Sequence, residues 1–128
     1  MSHEQIIHYE NKLKFEIDSW DLFELLKKKD PLVVIDTRAA AAFQARHIPG
    51  ALNLPHATMD DLTTAHLDKA QLYVTYCDGI GCNASTKGAL RMARLGFRVK
   101  ELMGGLDWWI RDGYATHGSQ GTPGKTTE

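Results

Sequence analysis

The sequence predicts an α/β fold, a small parallel sheet of about five strands with helices on both faces. Two observations carry that expectation. Short apolar runs, PLVVID and QLYVTY, alternate with longer segments of helical spacing such as NASTKGALRMARLGF. The chain has 128 residues, which suits one domain around one core.

Each element follows from local chemistry. Residues 1–14 are polar and weakly patterned and read as an N-terminal extension, with the domain expected over residues 15–116. In FEIDSWDLFELLKKKD, Asp18 or Ser19 can cap a helix. Leu22, Leu25 and Leu26 have helical spacing, and lysines close the segment. PLVVIDTR is a short β-branched run, a buried strand ending near Asp36, and AAAAFQARH is a short alanine-rich helix. IPGALNLP, punctuated by Pro49, Gly50 and Pro55, is extended. MDDLTTAHL is a modest helix candidate, and QLYVTY is a second clear strand. NASTKGALRMARLGF is the strongest helix, with Leu90, Ala93 and Phe97 expected on one side and Gly96 as its stop. RVKELM is a last strand, and GGLDWWIRDGY gives a glycine turn and a short aromatic helix. Residues 117–128 are expected to form a flexible tail.

Composition removes several function classes. The formal net charge of -1 gives no global field for nucleic acid or an anionic membrane. No apolar run approaches a membrane span, and MSHEQIIHYENK lacks the pattern of a signal peptide. Cys77 and Cys82 are the only cysteines. A ring closed between them constrains the unfolded chain little, so reduced thiols in a cytoplasmic setting are the default expectation.

The chemistry concentrates in VTYCDGIGCNAS, Val74 to Ser85. Cys77 falls at the carboxyl end of a strand, where ligands bind in open parallel sheets. Backbone amides of the loop and the start of the next helix favour a thiolate there, and Gly79 and Gly81 let the loop curl. Lys87 can add a positive charge. The plain alternative is a buried, inert cysteine that ends a strand. GIGCNA also fits a dinucleotide fingerprint with Glu101 as its acid, but the unit sits too late in a short chain for that fold. A metal site is disfavoured, because no second cysteine pair exists and the spacing of His47, His56 and His66 suggests no ligand set. Phosphoester chemistry needs a guanidinium in the loop, and no arginine lies between Cys77 and Lys87. No cofactor is expected. Lys87, Arg91, Arg94 and Arg98 form a basic stripe on the following helix, either a solvated face or a dock for an acidic acceptor protein.

Taken together, these stretches resemble the single-domain rhodaneses, which are sulfurtransferases. VVIDTRAAAAFQARHIPGALNLP resembles the family's first signature, YVTYCDG the strand into the active-site cysteine, and LGFRVKELMGGLDWWIRDGY the closing signature. The loop resembles a subgroup with Cys-Asp-Gly-x-Gly-Cys-Asn-Ala. Many members instead carry an arginine where Cys82 stands. The resemblance implies that Cys77 takes sulfane sulfur from a donor, thiosulfate or a persulfide, as a persulfide of its own. It then passes the sulfur to a thiol acceptor, small molecule or protein. Asp78, Gly79, Ile80, Gly81, Cys82, Asn83 and Lys87 would bind the donor, with Asp36, Arg38 and His47 as structural support. Cys82 reads as a space-filling residue, a resolving thiol or a sharer of the transferred sulfur. The competing functions are a non-catalytic partner-binding module and a thiol redox switch using Cys77 and Cys82. Either a monomer or a homodimer fits.

Overall fold

The computed structural model describes residues 2–128. In chain order the elements are α1 (His3–Phe15), β1 (Glu16–Ile17), α2 (Ser19–Lys27), β2 (Leu32–Asp36), α3 (Ala40–Ala45) and β3 (Leu52–Asn53), followed by a 3-10 turn (His56–Thr58). Then come β4 (Leu72–Tyr76), α4 (Ala84–Arg94), β5 (Arg98–Leu102) and α5 (Gly105–Arg111). The five strands form one sheet in the order β1-β5-β4-β2-β3, every pair parallel. The architecture is the α/β class expected from the sequence.

Alternation along β2 and β4 divides the core in two. Val34, Val74 and Tyr76 face the side covered by Leu22 and Phe23 of α2 and by Leu106 and Trp109 of α5. Ile35 and Tyr73 face the other side, against Met59, Met92 of α4 and Phe97. Both faces of the central strands are buried, which is why their sequences read as unbroken apolar runs. Asp18 caps α2 by accepting from the Asp21 amide at 2.8 Å.

Several expectations differ from the structure. Residues 59–67 form turns and not a helix. Asp60 and Thr63 exchange side-chain bonds with each other's amides, and Thr64 Oγ1 donates to the Asp60 carbonyl. Such short polar side chains offer the backbone an alternative to helical pairing. On α4 the buried face is Ser85, Gly88 and Met92, whereas Leu90 is 49% exposed and Ala93 is exposed. The small residues let the helix approach the sheet closely, so the bulky leucine turns outward. Residues 3–14, read only as an extension, belong to α1, which is capped by Ser2 Oγ on the Gln5 amide and has none of its residues buried. β1 was not legible either, and it exists through its register with β5, Ile17 opposite Leu102. Residues 117–128, expected as a flexible tail, bond back to the fold. His47 and His117 exchange two backbone bonds, Lys125 N donates to Gly113 O at 2.8 Å, and Gln120 N donates to Ala45 O at 2.8 Å.

Candidate active site

β4 delivers Cys77 to the carboxyl edge of the sheet, and α4 starts seven residues later at Ala84. Between them the chain makes a tight turn, with the Cys82 amide donating to Gly79 O at 3.1 Å. The turn brings Cys82 back over Cys77. Their Cα atoms are 6.2 Å apart and their sulfurs are joined in a disulfide. The sequence predicts free thiols by default; in the structure the turn brings the two cysteines together and they are bonded.

The segment after β5 supports the loop from below. Leu106 N donates to Cys77 O at 2.9 Å and Asp107 N to Asp78 O at 2.8 Å. Gly104 and Gly105 hold positive φ of 78° and 56°. A Cβ on Gly105 would collide with the Cys77 carbonyl oxygen and crowd the Gly79 amide at 3.0 Å. Glycine is therefore required on two counts, backbone conformation and close approach. Among the described residues, the amides of Asp78, Gly79, Ile80, Gly81 and Asn83 donate to no protein acceptor. Asn83 precedes α4 without a side-chain cap, so the first helical amides face the same region unsatisfied.

Arg38 fastens the loop from the side. Its guanidinium donates to Asp36 at 2.7 Å and to Asp78 Oδ1 at 2.9 Å. It also donates to the Arg46 carbonyl. Burial alone would lower the Arg38 pKa, but bonds and charge from Asp36 and then Asp78 outweigh it and raise the value. Asn53 Nδ2 ties the Asp36 and Arg38 carbonyls together. His47 stands apart from the cysteines: its ring stacks on Phe43, and its Nδ1 lies 2.7 Å from Phe43 O. Lys87, expected beside the donor, is exposed on α4 and lines none of the three cavities that touch the loop.

Two cavities meet at Cys82. One of about 550 Å³ is lined by residues 79–83, Trp108 and four carboxylates, Glu16, Asp18, Glu101 and Asp112, with Lys12 as its one cation among the described residues. A second of about 630 Å³ is lined by residues 78–82 and Asp107. Cys77, 1% exposed, lines neither. Sequence reasoning missed Asp107 and Trp108 in these walls. It assigned Glu101 only to a discarded nucleotide motif, whereas Glu101 Oε2 accepts from the Ser85 and Thr86 hydroxyls, each at 2.6 Å. Cys77, Asp78 and Cys82 bring potential ligand atoms within 4.8 Å. In the structure the sulfurs are bonded to each other and Asp78 to Arg38. No helix among the described residues is long and apolar enough to cross a membrane.

Comparison with known proteins agrees with this geometry. The family model described as Rhodanese-like domain matches residues 19–112. The chain is 37% identical over 98 residues to a protein named thiosulfate sulfurtransferase GlpE from Pseudomonas putida, covering 75% of this chain and 84% of that one. It is also 37% identical over 89 residues to the HTH-type transcriptional regulator Rv0324 of Mycobacterium tuberculosis. That match takes in 67% of this chain but spans only 38% of the regulator's length. Among solved structures, the BH2092 protein from Bacillus halodurans superposes with a TM-score of 0.89 at 40% identity, covering 92% of this chain and 87% of that one.

Proposed function

Since the chain belongs to the rhodanese-like domain family and has relatives named thiosulfate sulfurtransferase, we propose that it moves sulfane sulfur through a persulfide on Cys77. One observation carries the reading. Cys77 follows β4 in a loop whose amides, from Asp78 to Gly81, have no protein acceptor among the described residues. Unpaired amides and the start of α4 favour an anion at that point, either the attacking thiolate or the terminal sulfur of the persulfide. The thiolate attacks the outer sulfur of the donor, the bond within the donor breaks, and the donor leaves with its electron pair. A thiol acceptor then takes the outer sulfur and restores the thiolate.

The donor we favour is a persulfide of low charge in place of thiosulfate. Arg38 is committed to Asp36 and Asp78, Lys87 lies outside the cavities, and the cavity of about 550 Å³ carries four carboxylates against one lysine among the described residues. That wall repels a dianion. The test is intact mass of the pre-reduced Cys82→Ser protein, whose one remaining cysteine is Cys77, after exposure to each donor. A gain of one sulfur on Cys77, faster from the low-charge persulfide and absent in Cys77→Ser, is expected. A gain that persists in Cys77→Ser rules the reading out.

A further inference from the structure

Cys82 takes no step in the transfer to an outside acceptor, and its position against Cys77 gives it one of its own. We infer that Cys82 resolves the Cys77 persulfide internally, releasing sulfide and making the protein a dithiol-dependent reductase of sulfane sulfur. The inference rests on the Cys77 persulfide of the preceding section.

Three observations carry it. First, the two sulfurs are already bonded, so the loop reaches the product of that attack with the rest of the fold intact. Second, the loop is held for it: Cys82 by the turn to Gly79 O, Cys77 by Leu106 N, and Asp78 by Arg38. Little conformational freedom is lost when the ring closes. Third, the two sulfurs differ in access. Cys77 is 1% exposed and lines no cavity beside the loop, whereas the half-buried Cys82 lines both.

The chemistry balances. The Cys82 thiolate attacks the inner sulfur of the persulfide, Cys77 Sγ. A new Cys77–Cys82 bond forms, and the bond to the outer sulfur breaks. The outer sulfur leaves with the electron pair as hydrosulfide, so the sulfane sulfur is reduced and the two cysteines are oxidised. An external dithiol resets the site. Its first thiolate attacks the accessible Cys82 sulfur, giving a mixed disulfide there and freeing Cys77 as the leaving thiolate among the loop amides. Its second thiol breaks the mixed disulfide, returns Cys82 and departs as a cyclic disulfide. In the disulfide form Cys77 is buried beneath Cys82, so the dithiol attacks Cys82 and not Cys77.

The experiment is anaerobic, so that no dissolved oxidant can form the disulfide. Full-length protein is reduced, freed of reductant and given one equivalent of a low-charge organic persulfide. Sulfide is measured, and the protein is alkylated and weighed. The wild type is expected to release stoichiometric sulfide and to appear two hydrogens lighter than the reduced chain, with no alkylation. Cys82→Ser is expected to keep the added sulfur and release none. Dithiothreitol should then turn the wild type over repeatedly, and the variant at least tenfold more slowly. If both proteins hold the added sulfur and neither releases sulfide, resolution by Cys82 is wrong and the transfer reading stands. If Cys82→Ser takes up no sulfur, both fall together.

Discussion

At the scale of single residues, the strongest constraint on the site is the side chain of Arg38. It is 9% exposed and shares one guanidinium between Asp36, which is fully buried, and Asp78, whose side chain is 71% exposed. The two carboxylates therefore pose different problems. Removing the cation strands Asp36 in the interior, which costs about 3–5 kcal/mol. Removing the Asp78 charge breaks only a solvated pair, worth less than about 1 kcal/mol. Arg38→Met should thus lower the urea midpoint strongly and Asp78→Asn barely, although both cut a tie to the loop. Comparable losses in the two variants would show that Arg38 does not serve mainly to neutralise Asp36. A lysine is a poor substitute at Arg38, because one ammonium cannot match the fork that meets Asp36, Asp78 and the Arg46 carbonyl together.

At the scale of elements, α4 decides where the second cysteine sits, since it begins directly after Asn83. Its approach to the sheet is set by Gly88. A Cβ there would collide with the methyl of Thr37, a fully buried residue whose hydroxyl donates to Tyr76 O at 2.8 Å. Alanine ordinarily gains about 1 kcal/mol over glycine inside a helix. Overpacking a tight contact costs about 1–3 kcal/mol. Thr37 is pinned by its hydrogen bond and cannot rotate away freely, so the second effect wins. Gly88→Ala should be less stable than wild type despite its better propensity, as thermal unfolding followed by circular dichroism would report. A rise in the midpoint would mean that α4 can slide outward at no cost. The same contact explains why the buried face of α4 was misread from sequence. Hydrophobic periodicity points to Leu90, but close packing selects Ser85 and Gly88, and smallness carries no hydropathy signal.

At the scale of the whole molecule, what could be read from the sequence follows how local each signal is. β2 and β4 were legible because both faces are buried and their runs are unbroken. Two-residue β1 carries no pattern of its own and exists only through pairing with β5. Cys77 was placed by the strand it ends, whereas the Cys77–Cys82 bond depends on a turn, and Lys87's distance from the cavities on the rotation of a helix. Residues such as Tyr76 act only in the assembled fold. Its ring is fully buried between the two layers, and its hydroxyl oxygen accepts from the Ile48 amide at 3.0 Å. Burial first, then the charge of Asp36, raises the Tyr76 pKa, with the Ile48 bond opposing in part. Burial also raises Tyr73 and Tyr114, helped by Asp68 in one case and by Asp112 in the other. Each phenol holds its proton more tightly folded than unfolded. Below pH about 10, where both states are protonated, that preference contributes in full. As pH rises further the unfolded chain ionises first, so stability falls, with Tyr76 alone giving a slope of about 1.4 kcal/mol per pH unit until its folded value is passed. Tyr76→Phe removes that slope but leaves the buried Ile48 amide without its acceptor, at a cost of about 1–3 kcal/mol at neutral pH. Urea unfolding of the oxidised protein and this variant at pH 7, 9, 10 and 11 should therefore give converging curves, the variant weaker at pH 7 and its deficit about 1.4 kcal/mol smaller at pH 11. Parallel curves would mean that Tyr76 ionises equally in both states and that the alkaline loss comes from elsewhere in the fold.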